Sequence, residues 1–229
     1  MQCHRLNRRG GCDGTAPASH TQMLQKIAIR LAGLFVLMGM VWLFLSGRPI
    51  KHPSGVLVPN APVQKNIPAK LIGIVADWQV TAVAEYHLHG RVLGTKRYHS
   101  GVQSALVPMD VAMGWGRMSD QVVLDGLDVS MTNRFYFYEW RNEPPIPQEE
   151  IVVSSANNHV IAANDEVRKV IRGLRVGQIL TMHGWLVNAN GPEGRTWNSS
   201  LRRDDTGNGA CELFYVEGAK AVNSLADEM

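Results

Sequence analysis

The longest apolar run in the chain is Leu31 to Leu45, fifteen residues without a polar side chain. Nine of the fifteen are Leu, Phe or Val. On an insertion scale they contribute roughly −3 to −5 kcal/mol together. That outweighs Arg30 at the edge, where a long side chain reaches the headgroups. Adding Ile27, Ala28, Ile29, Ser46 and Gly47 brings the stretch close to the ~20 residues that cross a bilayer. The pattern predicts a transmembrane helix over 27–47, with the lipid bilayer as its partner. Ala32, Gly39 and Ser46 recur every seven residues on it. Small residues on one face allow helices to approach closely, so a homodimer through this face is one expectation. Ordinary glycine and alanine content of a membrane helix is the other.

Beyond the span the pattern changes. Ser54 to Pro68 is rich in proline and reads as an extended tether, placed at 48–69. From Lys70 onward, short β-prone runs follow one another. Leu71–Val75 and Val80–Ala84 are strands, and Tyr86–Tyr98 predicts solvent-facing strands turning at Gly90 or Gly94. Gly114 and Gly116 flank Trp115, which marks a bend that seats a large ring. Ser119 is placed as the cap of a short helix through Leu124, ended by Asp125 and Gly126.

Phe135 to Trp140 is the clearest strand, with Phe135 and Phe137 on one face and Tyr136, Tyr138 and Trp140 on the other. Ile151 to Val153 resumes as a strand. Asn164 caps the best helix, with Val167, Val170, Ile171 and Leu174 at helical spacing and Gly177 as its stop. Gln178–Val187, Thr196–Leu201 and Ala210–Glu217 read as a three-strand antiparallel meander.

The predicted architecture is therefore α+β. It has a tail over 1–26, the membrane helix, the tether, one domain over 70–218 and a flexible tail over 219–229. The domain is built on an antiparallel sheet that could roll into a small barrel, with two short helices.

Charge sharpens this. The net charge of +3 is an average over unlike parts. Residues 1–70 carry nine Lys or Arg against the single acid Asp13, whereas the remainder carries 14 against 19. A body with no basic surplus is not a nucleic-acid binder. The basic excess lies before the span, which predicts a cytoplasmic N-terminus and a periplasmic or extracytoplasmic domain in a bacterial inner membrane. A cleaved signal peptide is the competing reading, but Ser46-Gly47-Arg48-Pro49 is a poor cleavage site. Met23 is an alternative start, since residues 23–30 have the length and charge of an n-region.

Candidate chemistry is sparse. His87 and His89 share a strand face, with His99 across the expected turn, so the three could hold a metal ion. Exposed histidines on a polar strand account for the same spacing. Asp204, Asp205 and Asn208 lie among glycines, but the calcium-loop acid is missing twelve residues in. Cys211 is the outer body's thiol, Cys3 and Cys12 falling before the span. With His159 or His183 it could form a nucleophile–base pair for an envelope hydrolase. Alternation in its apolar strand favours a buried, inert thiol instead. Asn158 and His159 are expected to bond backbone groups where a strand leaves for the helix. No Gly-x-Ser-x-Gly elbow, phosphate loop or other cofactor signature is present, so no cofactor is expected.

Four motifs together carry a resemblance. They are 113–120 around Gly114-Trp115-Gly116, the strand 133–140, Asn157-Asn158-His159-Val160-Ile161, and Asp205-Thr206-Gly207-Asn208-Gly209-Ala210-Cys211-Glu212. They resemble a set of uncharacterised bacterial proteins with a short membrane segment and one extracytoplasmic domain, over roughly 70–217. The resemblance implies that setting and carries no activity. The leading expectation is a non-enzymatic anchored domain that binds an envelope protein or scaffolds an assembly. Its contact surface would be Phe135, Tyr136, Phe137, Tyr138 and Trp140.

Overall fold

The computed structural model describes residues 20–228. Cys3, Cys12 and residues 1–19 of the expected tail lie outside the described residues, as do the side chains of Trp42 and Ser46, whereas residues 20–26 of that tail are helical. The chain divides into two units, Met1–Gly47 and Arg48–Met229. In the first, α1 spans His20–Ser46. At 1.5 Å per residue it is about 40 Å long. Its segment Met23–Val41 is long and apolar enough to cross a membrane, and its side chains are exposed.

The second unit is α+β. Its elements are β1 (Val63–Val75), β2 (Trp78–Arg97), α2 (Val102–Leu106), β3 (Met109–Gly114), α3 (Gln121–Asp125), β4 (Asp128–Thr132) and β5 (Phe135–Glu139). There follow α4 (Gln148–Val153), β6 (Ser155–Ala162), α5 (Asp165–Arg172), β7 (Ile179–Asn190), β8 (Thr196–Asn198) and β9 (Glu212–Val222). The sheet order is β1-β2-β3-β6-β9-β7-β8, and β7 also pairs with β2. Pairing therefore passes from β2 through β3, β6, β9 and β7 and arrives back at β2. All ladders are antiparallel except β6–β9, which is parallel.

The twenty residues of β2 make this possible. Val80, Ala82, Ala84, Tyr86 and Leu88 alternate inward and are buried, the period of a half-buried strand. The strand is continuous where a turn is expected from Gly90 or Gly94. These glycines admit close neighbours instead. A Cβ on Gly90 would lie 3.1 Å from the Gly114 carbonyl oxygen, and one on Gly94 would lie 2.9 Å from the Met131 sulfur. Inside, Tyr86 and Phe214 meet edge to face at 5.0 Å, with Val111, Met113, Leu180, Met182 and Val216 around them. Each such side chain contributes about 1.5–3 kcal/mol by leaving water.

The helices seal the rest. Asn164 caps α5 by accepting from the Val167 N–H at 2.8 Å, and α5 buries Val167 and Ile171. It ends at Arg172 with Gly173 as its cap, four residues before the expected stop. Trp115 is buried, its Nε1 donating to the Val153 carbonyl at 3.1 Å, as the flanking glycines suggest.

Several local readings are corrected. Ile151–Val153 lies in α4, because Pro147 starts a helix whose first turn holds Glu149 and Glu150. Asp120, not Ser119, caps α3. The outer unit has four short α-helices, not two. β8 and β9 do not continue a meander, since both lie beside β7 on the side away from β2, and β9 pairs with β7 and β6 instead of β8. The strand β9 runs to Val222, into the expected flexible tail.

The expected tether is also packed. Residues 48–62 form a strap, and β1 begins at Val63. The Ile50 N–H donates to the Val176 carbonyl at 2.8 Å, and the Gly116 N–H donates to the Val58 carbonyl at 2.7 Å. Ser119 Oγ accepts from the N–H groups of Leu57 and Val58, both at 3.0 Å. Arg91, 2% exposed, donates to the carbonyls of Ser119 and Ile50 from inside. Opposite Ile50 lies Gly177, at φ +92°, where a Cβ would come within 2.0 Å of the Ile50 carbonyl oxygen.

Gly177→Ala is therefore expected to expel the strap. Backbone strain there costs ~1–3 kcal/mol, and limited proteolysis of the full chain should become several-fold faster between Arg48 and Val58. Unchanged cleavage would show that the strap does not depend on this contact.

Candidate functional site

The site forms where β3, β6, the β4–β5 hairpin and the β7–β9 connection converge. Asp110 of β3 faces His159 of β6 across the ladder. The Asp110 side chain is fully buried, among apolar neighbours in its strand. Its Oδ1 accepts from His159 Nδ1 at 2.9 Å and from an Arg134 guanidinium N–H at 2.9 Å. Its Oδ2 is buried without a hydrogen-bond partner. A carboxylate this deep survives only with partners, and here two cations share one oxygen.

Arg134 is held from every side. It and Asn133 form the two-residue turn between β4 and β5, both at positive φ (+70° and +50°). That is the primed hairpin geometry, which is costly for Arg. The Arg134 N–H donates to the Tyr98 hydroxyl at 3.0 Å, and its carbonyl accepts from Asn157 Nδ2 at 2.9 Å. The guanidinium lies 3.6 Å from the centre of the Tyr98 ring and 5.4 Å from that of Trp197. Trp197, on β8, also packs on the His159 ring at 4.7 Å.

Cys211 completes the cluster from just before β9. The parallel pairing of Asn158 with Glu212 brings it beside β6. Asn157 Nδ2 donates to its Sγ at 3.6 Å, and its thiol points at the Arg134 carbonyl at 3.9 Å. The loop carrying it is pinned. Ser200 Oγ donates to Asp205 at 2.6 Å, the Ser200 N–H donates to the Cys211 carbonyl at 3.0 Å, and Arg203 pairs with the buried Glu212.

Burial by itself lowers the pKa of His159, but its bonds to Asp110 and then Cys211 outweigh that and raise it to about 9. The imidazole is thus a cation at neutral pH. With Arg134 it sets two positive charges against one carboxylate, leaving the site cationic. Arg134, His159, Trp197 and Cys211 line a cavity of about 530 Å³, with Gln103 and Asn198 at its rim. A second hollow of about 390 Å³ adjoins it, walled by Tyr136, Tyr138 and Trp140. Phe135 and Cys211 line both.

No family model, curated protein or solved structure matches this chain.

The structure brings Cys211 and His159 together and leaves out His183. That residue is exposed on β7 and stacks on His87 across the β2–β7 ladder at 5.8 Å. His89 bonds Thr181 at 2.8 Å, and His99 sits in the loop after β2. Among the described residues, no three His, Cys, Asp or Glu side chains are grouped to hold a metal ion. Asp204 pairs with Arg202, and Asp205 with Ser200, so the turn holds itself together. Cys211 is half-buried and faces the cavity, contrary to the inert strand thiol expected from alternation. Asn158 does bond backbone, donating to the Val111 carbonyl at 3.2 Å, whereas His159 bonds a carboxylate. In the aromatic strand Tyr136, Tyr138 and Trp140 pack inward in part, and Phe137 is the most open.

Asp110, Arg134, Tyr98 and Trp197 escaped the sequence reading. One signal was available. Asp110 is the lone acid in an apolar run from Leu106 to Met113, and a charge there requires a buried partner.

The raised pKa of His159 has a pH consequence. The imidazolium is favoured in the folded state, so its stabilisation is full below about pH 6.5. It disappears as pH rises through about 9. Denaturant unfolding should show a loss on the order of 3 kcal/mol across that window. His159→Gln should flatten the profile. An unchanged slope in the variant would assign the titration elsewhere.

Proposed function

We propose that this chain is a membrane-anchored recognition protein of the bacterial envelope, whose outer unit binds an acidic group on another envelope molecule. The observation that carries the reading is the buried Asp110 carboxylate holding Arg134 and His159 as two cations at the wall of one cavity. Such a pair is expensive to assemble, and the arginine sits at a strained backbone position. Cost of that kind concentrates at sites that bind or react.

The topology supports the reading. Five strands that pair around a ring, with one parallel ladder and a helix between β6 and β7, match a small closed barrel of the oligonucleotide- or oligosaccharide-binding type. Barrels of that type bind on the face of their second and third strands, between the loops that follow the first and fourth. Here those positions are β3, β6 and the loops bearing Gln103 and Trp197, which surround the cavity. The net acidic body argues against nucleic acid as the ligand. The α1 helix would anchor the protein in the inner membrane, N-terminus in the cytoplasm, by the Lys and Arg bias that precedes it.

Two measurements test this. Alkaline phosphatase fused after Met229 should be active in intact cells, and an inactive fusion would reverse the orientation. Titration of the full chain in detergent with 4-hydroxybenzoate or inorganic phosphate should quench tryptophan fluorescence saturably. Arg134→Ala should weaken that binding about tenfold or more, the worth of one charged hydrogen bond. An identical curve in Arg134→Ala and Arg134→Lys would sink the acidic-ligand reading.

A further inference from the structure

We propose that Cys211 is an acyl-accepting nucleophile, and that the substrate is an ester whose apolar acyl part occupies the aromatic hollow while its acidic alcohol part occupies the cationic cavity. This rests on the binding reading above and adds a reaction to it.

The geometry has three parts. Cys211 and Phe135 are shared by both hollows, so the sulfur lies where a ligand spanning them would pass. On one side stand Tyr136, Tyr138 and Trp140, which bury apolar groups and carry no charge. On the other stands Arg134, whose guanidinium binds an anion whatever the protonation of His159 beside it. Beside the sulfur, His159 is oriented through Nδ1 by the buried Asp110, the order of nucleophile, base and orienting acid that acyl transfer uses. Asn157 fixes the thiol by donating to it and to the Arg134 carbonyl. Arg134 sits at positive φ, and its carbonyl lies 3.9 Å from the Cys211 sulfur.

The chemistry balances without a redox partner. In molecules whose His159 is neutral, a fraction that grows as pH rises toward about 9, Cys211 gives its proton to His159, and the sulfur attacks the ester carbonyl carbon, forming the C–S bond. The C–O bond breaks, and the imidazolium proton passes to the departing alkoxide, releasing the acidic alcohol. Water is the second reactant. His159 takes its proton as it attacks the S-acyl carbon, the C–S bond breaks, and the proton returns to the sulfur. The products are a carboxylic acid, an alcohol and the original thiol. Asp110 reaches the reaction only through His159 and is a positioning residue.

The probe is 4-(hexanoyloxy)benzoate, which joins a six-carbon acyl chain to an acidic alcohol. The full chain in detergent carries Cys3→Ser and Cys12→Ser, so that acylation reports on Cys211. Mass spectrometry should find one hexanoyl group on the peptide containing Cys211, formed at least about 100-fold faster than in the denatured chain. Cys211→Ser and Cys211→Ala should lose the thioester and the turnover while still binding 4-hydroxybenzoate. His159→Asn should slow acylation by about 100-fold or more. The neutral methyl ester of the probe should react more slowly than the anion. Two results overturn the proposal: wild-type chain that binds 4-hydroxybenzoate yet acylates no faster than denatured chain, or Cys211→Ala that hydrolyses the probe at the wild-type rate. Failure to bind 4-hydroxybenzoate, with rapid acylation intact, would remove the anionic recognition and keep the nucleophile. Failure of both removes both.

Discussion

The outer unit depends on how one buried carboxylate is neutralised. Asp110 has no access to water, and its attraction to Arg134 and His159 must repay the cost of taking three charges inside. That requirement ties together parts of the chain that otherwise have little reason to meet. Arg134 belongs to a two-strand hairpin outside the main sheet, yet it is drawn onto β3. His159 belongs to β6 and brings the Trp197 ring of β8 against it. The cluster is thus a fastener for the hairpin and the rim of a cavity. A single set of interactions thus holds the hairpin and lines the cavity, so a ligand there would meet side chains already placed.

The long strand β2 is the second organising element. Its first half pairs with β1 and β7, and its last third pairs with β3. Its change of partner falls between His87, where pairing with β1 ends, and Arg91, where pairing with β3 begins, and the strand does not break there. Because β2 reaches both ends of the ring of pairings, the core around Tyr86 and Phe214 lies within that ring. The connections are then free to carry side-chain chemistry, and Gln103, Arg134, Trp197 and Cys211 all lie on or beside connections.

Much of this was legible in the residues. The apolar helix, the Asn164 cap, the aromatic strand and the bend around Trp115 follow from local rules, and local rules decided them. The errors share a cause. Gly90 and Gly94 read as turns because a glycine needed for close packing looks the same in one dimension as a glycine needed for a bend. Pro-rich 48–62 reads as tether because its partners, Ser119, Gln121 and Gly177, lie more than sixty residues away. Cys211 reads as buried because alternation assumes that the strand has already begun, whereas β9 starts one residue later. His159 was picked out, but its pairing with Asp110 follows from strand order, which no local pattern contains.

The packed strap bears on mechanics. A pull on the chain ahead of Ile50 meets its first resistance at the bonds from Ile50 and His52 to the 176–177 turn, next at those from His52 and Gly55 to Gln121 and Asp120, and then at those from Leu57 and Val58 to Ser119. These are short, separate attachments, and they yield one after another like the teeth of a zipper. Behind them, β1 is held to β2 along a ladder reaching from Val63 to Val75. Tension would thus be absorbed by peeling the strap before it deforms the ring of strands. The segment acts as a shock absorber, paying out up to about 3.5 Å of chain per released residue while the cavity keeps its shape.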